Sequence, residues 1–185
     1  MNLKLGVIYA EPDEVWIGKL EKRIKRWTIV FVVFLLLSGL TAFPIESELY
    51  YLSNWLGSES VLGEWITNCY SAVKYSNHSY PFLSYGTDWL AFAHIVIAIA
   101  FIGPLRDPVR NIWIYQFGMI ACVLIFPVAL IMGNIRGIPV FWQLVDCSFG
   151  VIGIVPLFFC YKWSRKLEEK VIAFEDRTVV KGIRG

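Results

Sequence analysis

Apolar residues along this chain come in long blocks, and four of the blocks approach the roughly 20 residues a helix needs to cross a bilayer. The first runs over residues 27–43 and stops at Pro44, the second over 89–105, the third over 112–132 and the fourth over 140–161. The pattern predicts an all-α polytopic membrane protein, a four-helix transmembrane bundle forming one membrane domain over residues 1–185. The segments between the blocks carry their own signals. In residues 1–26, Glu11-Pro12-Asp13 opens a helix, with proline in the first turn and acids at the positive end of the dipole. Trp16, Leu20, Ile24 and Trp27 then recur at helical spacing while Lys19, Lys22, Arg23, Lys25 and Arg26 cover the rest. That is the pattern of an amphipathic helix lying on the cytosolic membrane surface.

Residues 44–86 are too long for a turn and too rich in Tyr and Trp for a solvated loop. Two short helices are predicted there, Glu48–Leu56 and Val61–Lys74, together forming an amphipathic cap over the outer face. Asn77-His78-Ser79 matches a glycosylation acceptor, which has meaning only in a eukaryotic lumen.

Charge sets the expected orientation. Lys and Arg cluster before the first block, in the Arg106-Asp107-Pro108-Val109-Arg110 turn and in the tail 162–185, with only Lys74 and Arg136 on the other side. The positive-inside rule then puts both termini in the cytoplasm. The first block is too long for a signal-peptide core, and Thr41-Ala42-Phe43 is a poor cleavage site, so a retained signal anchor is expected. Composition agrees: 57% of residues are hydrophobic, and the mean hydropathy is +0.57. A net charge of +2 argues against a nucleic-acid partner. The four cysteines contain no C-x-x-C pair, so no zinc ribbon or thioredoxin-type centre is indicated, and Cys69 stands alone outside the blocks. No internal repeat of the kind found in many transporters is visible.

Helices in lipid associate through small residues, because burial away from water drives nothing there. Gly118, Cys122, Ala129 and Gly133 share one face of the third block, and Gln143, Asp146, Gly150 and Gly153 share one face of the fourth. Ala91 and Ala98 offer a similar face on the second, and Pro127 and Pro156 predict kinks.

The chemistry that stands out is Asp146, a carboxylate inside an apolar span, where it costs about 2.5–3.5 kcal/mol unless it faces protein or water. His94 is the other ionisable group at a similar depth. Around them, in the outer half of the expected topology, lie Gln143, Asp88, Glu46 and Arg136. These six residues are the candidate ligand-binding set for an apolar or lipid-like small molecule, with His94 and Asp146 as the acid–base pair if proton transfer is catalysed. Two other readings stand beside this one. The polar pair fixes helix register, or the protein is a non-catalytic accessory subunit facing a larger membrane partner or a second copy. Only two histidines are present, one of them in the cap, which argues against a haem held by facing helices; no metal site and no cofactor are expected.

The stretch GTDWLAFAHIVIAIAFIGPLRDPVRNIWIYQFGMIAC, followed by RGIPVFWQLVDCSFG, resembles a group of uncharacterised bacterial four-span membrane proteins. That resemblance implies a bacterial inner-membrane location and a span count, but no activity. A second likeness, of architecture only, is to the EXPERA superfamily, which includes emopamil-binding sterol isomerases. There, four spans with a long first outer loop enclose an apolar ligand among acidic and histidine residues, and Glu46, Asp88, His94 and Asp146 would be the counterparts.

Overall fold

The computed structural model describes residues 12–183, with side chains described over 15–174. The beginning of the chain through Glu11 and the last two residues, assigned above to cytosolic segments, lie outside the described residues. The order of elements is α1 (Pro12–Leu40), α2 (Ile45–Leu56), α3 (Val61–Ser79), α4 (Pro81–Ala100), α5 (Ile102–Arg106), α6 (Ile112–Pro127), a π-helical turn (Val128–Met132), α7 (Gly133–Ile135) and α8 (Val140–Ile183). No strand occurs among the described residues.

Three stretches are long and apolar enough to cross a membrane: Pro81–Arg106, Ile112–Ile135 and Val140–Phe174. A fourth qualifies if α1 and α2, bent by 89° at the break between them, are taken as one broken span. The reason lies at the end of α1. Its apolar part after Arg26 runs only to Leu40, roughly 20 Å at 1.5 Å per residue, short of a hydrocarbon core of about 30 Å. Pro44 then disfavours helix at the residue before it, and the chain turns into α2. The two helices predicted for residues 44–86 are present as α2 and α3, and Ser60 caps α3 by accepting from the Gly63 amide at 3.0 Å.

The described residues fall into two compact units, one running up to Phe31 and from Phe101 onward, the other Val32–Ala100. In the first, α6 and α8 lie antiparallel against each other through small residues. A Cβ on Gly150 would sit 2.7 Å from the Cys122 carbonyl oxygen, one on Gly153 2.9 Å from Cys122 Sγ, and one on Gly118 2.9 Å from Leu157. The faces read from the sequence are therefore the faces that meet. Pro127 lacks an N–H and crowds the carbonyl four residues back, and the helix widens into the π turn directly after it. Pro156, by contrast, lies within α8, which continues through it.

The beginning of α1 packs on this pair differently from the sequence-based expectation. The middle of the apolar stripe read as lying on a membrane surface is buried in protein, Ile24 at 0% exposed and Leu20 at 8%, as are Ser164 and Leu167 of α8 at 0% and 3%, whereas Trp16 is half-buried and Trp27 exposed. Trp16 meets Lys166 and Lys170, Arg23 meets Trp163, and Cys160 Sγ approaches the Ile24 carbonyl at 3.8 Å. This pairing order makes α1 and α8 antiparallel neighbours beyond their apolar parts. An amphipathic stripe needs an apolar partner, and the long tail of α8 supplies one. Neither helix breaks where the sequence suggested a change of segment, at Trp27 or at Lys162.

A polar knot lies within this packing. Thr28 Oγ1 donates to the Ile24 carbonyl at 2.9 Å and lies 2.7 Å from the Tyr115 hydroxyl, with Cys160 Sγ at 3.7 Å. Thr28, Tyr115 and Cys160 are all buried, and Phe101 packs between Phe31 and Tyr115 at ring separations of 4.9 and 6.3 Å. The tight turn at 106–110 is organised by Asp107, whose Oδ1 accepts from the Val109 and Arg110 amides at 3.1 and 2.9 Å.

Candidate functional site

Asp146 is half-buried on α8, one position off the line that α8 buries. Gln143, Cys147, Gly150 and Leu157 form that line, advancing by four, three and seven residues. The offset turns the Asp146 carboxylate toward α6 and the π turn. There it lines a groove of about 430 Å³ with Ala121, Leu124, Ile125, Val128 and Ala129. Among the described residues no hydrogen bond or ion pair involves this carboxylate. The π turn contributes Val128 and Ala129 directly, so the widening caused by Pro127 shapes the wall opposite the acid.

Gln143, three residues earlier, has other commitments. It is 2% exposed, donates from Nε2 to the Ile138 carbonyl at 2.7 Å, and lies 3.4 Å from Asn134 Oδ1. Gly133 makes this possible: a Cβ there would lie 2.7 Å from Gln143 Cδ. Gln143 thus ties the turn between α7 and α8 to the start of α8. Arg136 lies exposed in that turn and makes no ion pair among the described residues.

His94 belongs to the other unit. Its Nδ1 lies 2.8 Å from the Leu90 carbonyl, and because a carbonyl only accepts, Nδ1 carries the proton. The residue that fits this helix to its neighbour is Gly39, absent from the sequence-based candidates. A Cβ on Gly39 would fall 2.5 Å from His94 Cβ and 3.4 Å from the Ala91 carbonyl oxygen. Gly39→Ala is therefore expected to lower stability by about 1–2 kcal/mol through overpacking, measured as the midpoint of thermal unfolding in mild detergent. Gly86→Ala, which meets nothing within 4 Å in α4, should be neutral or stabilising.

In the same unit Glu46 accepts a hydrogen bond from Asn77 Nδ2 at 2.5 Å, which ties α2 to α3 and occupies the asparagine of the acceptor motif. Asp88 is half-buried on α4 without a hydrogen bond or ion pair among the described residues. Cys69 on α3 is half-buried, and burial pushes its thiol above the usual range, which keeps it in the unreactive protonated form near neutrality. No cluster of His, Cys, Asp and Glu among the described residues has the geometry of a metal site.

Asp146 and Gln143 thus lie in one unit, while His94, Glu46 and Asp88 lie in the other, each with surroundings of its own. A buried polar contact absent from the sequence-based candidates is the Thr28–Tyr115 pair. A phenol inside an apolar span requires a partner, and that requirement is the signal that leads to it.

No family model matches the chain, and no match was found among curated proteins or solved structures. The likeness to uncharacterised bacterial four-span proteins and to the EXPERA superfamily gains no support from these comparisons. Several apolar helices of spanning length remain, and they fit an integral membrane protein.

Proposed function

We propose that this is an integral membrane protein that holds an apolar or lipid-like molecule in the groove beside Asp146, with a hydrogen-bond-donating or cationic group of that molecule on the carboxylate. In this reading the termini are cytoplasmic and α2 and α3 lie at the outer interface, where the exposed rings of Tyr51 and Trp55 belong. The observation that carries the proposal is the Asp146 carboxylate, without a hydrogen-bonding partner among the described residues, in a groove whose other lining residues are all apolar. A carboxylate in hydrocarbon is costly unless something satisfies it, and the small side chains of Ala121 and Ala129 leave room for a ligand to do so.

Native mass spectrometry of protein released from gently solubilised membranes tests this. A discrete extra mass in the lipid range is expected on the wild type. Asp146→Leu should reduce its retention about tenfold or more, the loss expected when a hydrogen bond to a charged group is removed. Asp146→Asn, which keeps an acceptor, should reduce it less. Equal retention by all three proteins would overturn the assignment. A stoichiometric second membrane protein in place of a small mass would instead make this chain an accessory subunit.

A further inference from the structure

The paired ends of α1 and α8 form a second feature, independent of the Asp146 groove. Over residues 16–27 and 160–170 they carry nine basic side chains against three acids. Only Lys25 and Arg165 are paired with acids among the described residues, Glu21 at 2.6 Å and Glu168 at 2.8 Å. Five aromatic contacts organise this region. The Arg23 guanidinium lies 5.5 Å from the ring centre of Trp163, which also packs on Trp27 and stacks on Phe159. Lys166 and Lys170 approach Trp16 at 5.4 and 5.8 Å. Positive-inside sorting explains the sign of these charges. It does not require two helices far apart in sequence to be zipped into one surface by Ile24 and Leu167, with cations seated on rings at the end of the apolar spans.

We infer that this collar binds the phosphate headgroups of anionic phospholipids in the leaflet it adjoins. The inference rests on the membrane placement proposed above but not on the groove. Charge complementarity names the occupant. Unpaired cations lie beside Trp27 and Trp163, the residue type that sits at headgroup depth. A guanidinium held over a ring keeps its N–H edge free for phosphate oxygens. Each basic group close to an anionic surface contributes roughly a fivefold factor in affinity.

The full-length protein is reconstituted in phosphatidylcholine vesicles and in vesicles of phosphatidylcholine with equimolar phosphatidylglycerol, then re-extracted, and the retained lipid is counted by native mass spectrometry. Phosphatidylglycerol should be retained over phosphatidylcholine, and sodium chloride should weaken the preference. Arg23→Gln combined with Lys166→Gln should cut the preference by about 25-fold, two charges at the factor above. Arg106→Gln with Arg110→Gln removes as much charge outside the collar and should leave most of the preference in place. The charge-keeping pair Arg23→Lys with Lys166→Arg separates loss of charge from loss of folding, and should hold the lipid. Equal retention of the two lipids, the same effect from both charge-removing pairs, loss of the preference in the charge-keeping pair, or displacement of the lipid by millimolar inorganic phosphate would each overturn the inference.

Discussion

Gly150→Ala is expected to lower the stability of this protein by about 3 kcal/mol, the upper end of what one added methyl costs in a packed interior, and Gly150→Leu to prevent α6 and α8 from pairing as they do. The new Cβ would lie 2.7 Å from the Cys122 carbonyl oxygen and 3.1 Å from the ring of Phe126. The first contact decides the size of the effect, because a backbone oxygen inside a helix cannot rotate aside as a side-chain end does. Relief requires α6 and α8 to separate, which loosens Gly118 from Leu157 and Gly153 from Cys122 as well. In lipid those dispersion contacts are most of what holds two helices together. Helix propensity favours Ala over Gly by about 1 kcal/mol, so the sign of the result is itself informative. Thermal unfolding in mild detergent, followed by tryptophan fluorescence, should show a large drop in midpoint for Gly150→Ala and none for Gly86→Ala. Equal midpoints would mean that the close approach of α6 to α8 is not what holds the first unit.

Tyr115→Ala is expected to cost about 3–5 kcal/mol, as for other large buried aromatics, whereas Tyr115→Phe costs about 1 kcal/mol. The ring is 0% exposed and touches Phe101, so its removal opens a cavity among groups fixed on three helices. The hydroxyl is a separate matter. It lies 2.7 Å from Thr28 Oγ1, which itself donates to the Ile24 carbonyl, so the phenol is the donor in that pair. Tyr115→Phe removes the donor while Thr28 keeps its backbone acceptor, a modest loss in the range measured for hydrogen bonds between membrane helices, about 0.6–2 kcal/mol. Thr28→Val is the complementary test: it strands the phenol without its acceptor and should cost at least as much as Tyr115→Phe. Additive losses in the double variant Thr28→Val with Tyr115→Phe would show that the two hydroxyls are not coupled.

The helices themselves were legible because hydropathy and turn chemistry act locally. Pro44 ends α1 near its expected place, Asp107 organises the turn at 106–110, and the glycine faces of α6 and α8 meet as their spacing implied. The candidate site was legible only in part. A carboxylate in an apolar block announces itself, and Asp146 does lie in a groove. Gln143 carried the same signal, yet its amide is used by the Ile138 carbonyl, a partner that exists only once the turn at Gly137 has formed. Glu46 likewise meets Asn77, thirty-one residues away, through the packing of α2 on α3. Gly39 gave no signal, because a single glycine in an apolar block looks the same whether or not a neighbouring helix approaches it.

From its sequence alone, this protein is a chain of apolar helices with Lys and Arg gathered near their ends, since hydrophobic length and charge are properties of consecutive residues. Tertiary structure decided which face each helix spends on which neighbour. The stripe of Leu20 and Ile24 is amphipathic whether its apolar partner is a bilayer surface or another helix, and only the long tail of α8 lying alongside makes it the second. The same holds for Asp146, whose one-position offset from the buried line of α8 turns a carboxylate away from Gln143 and into a groove shaped by Pro127 on another helix. Pairings of this kind depend on contacts between distant segments, and periodicity along one segment carries no record of them.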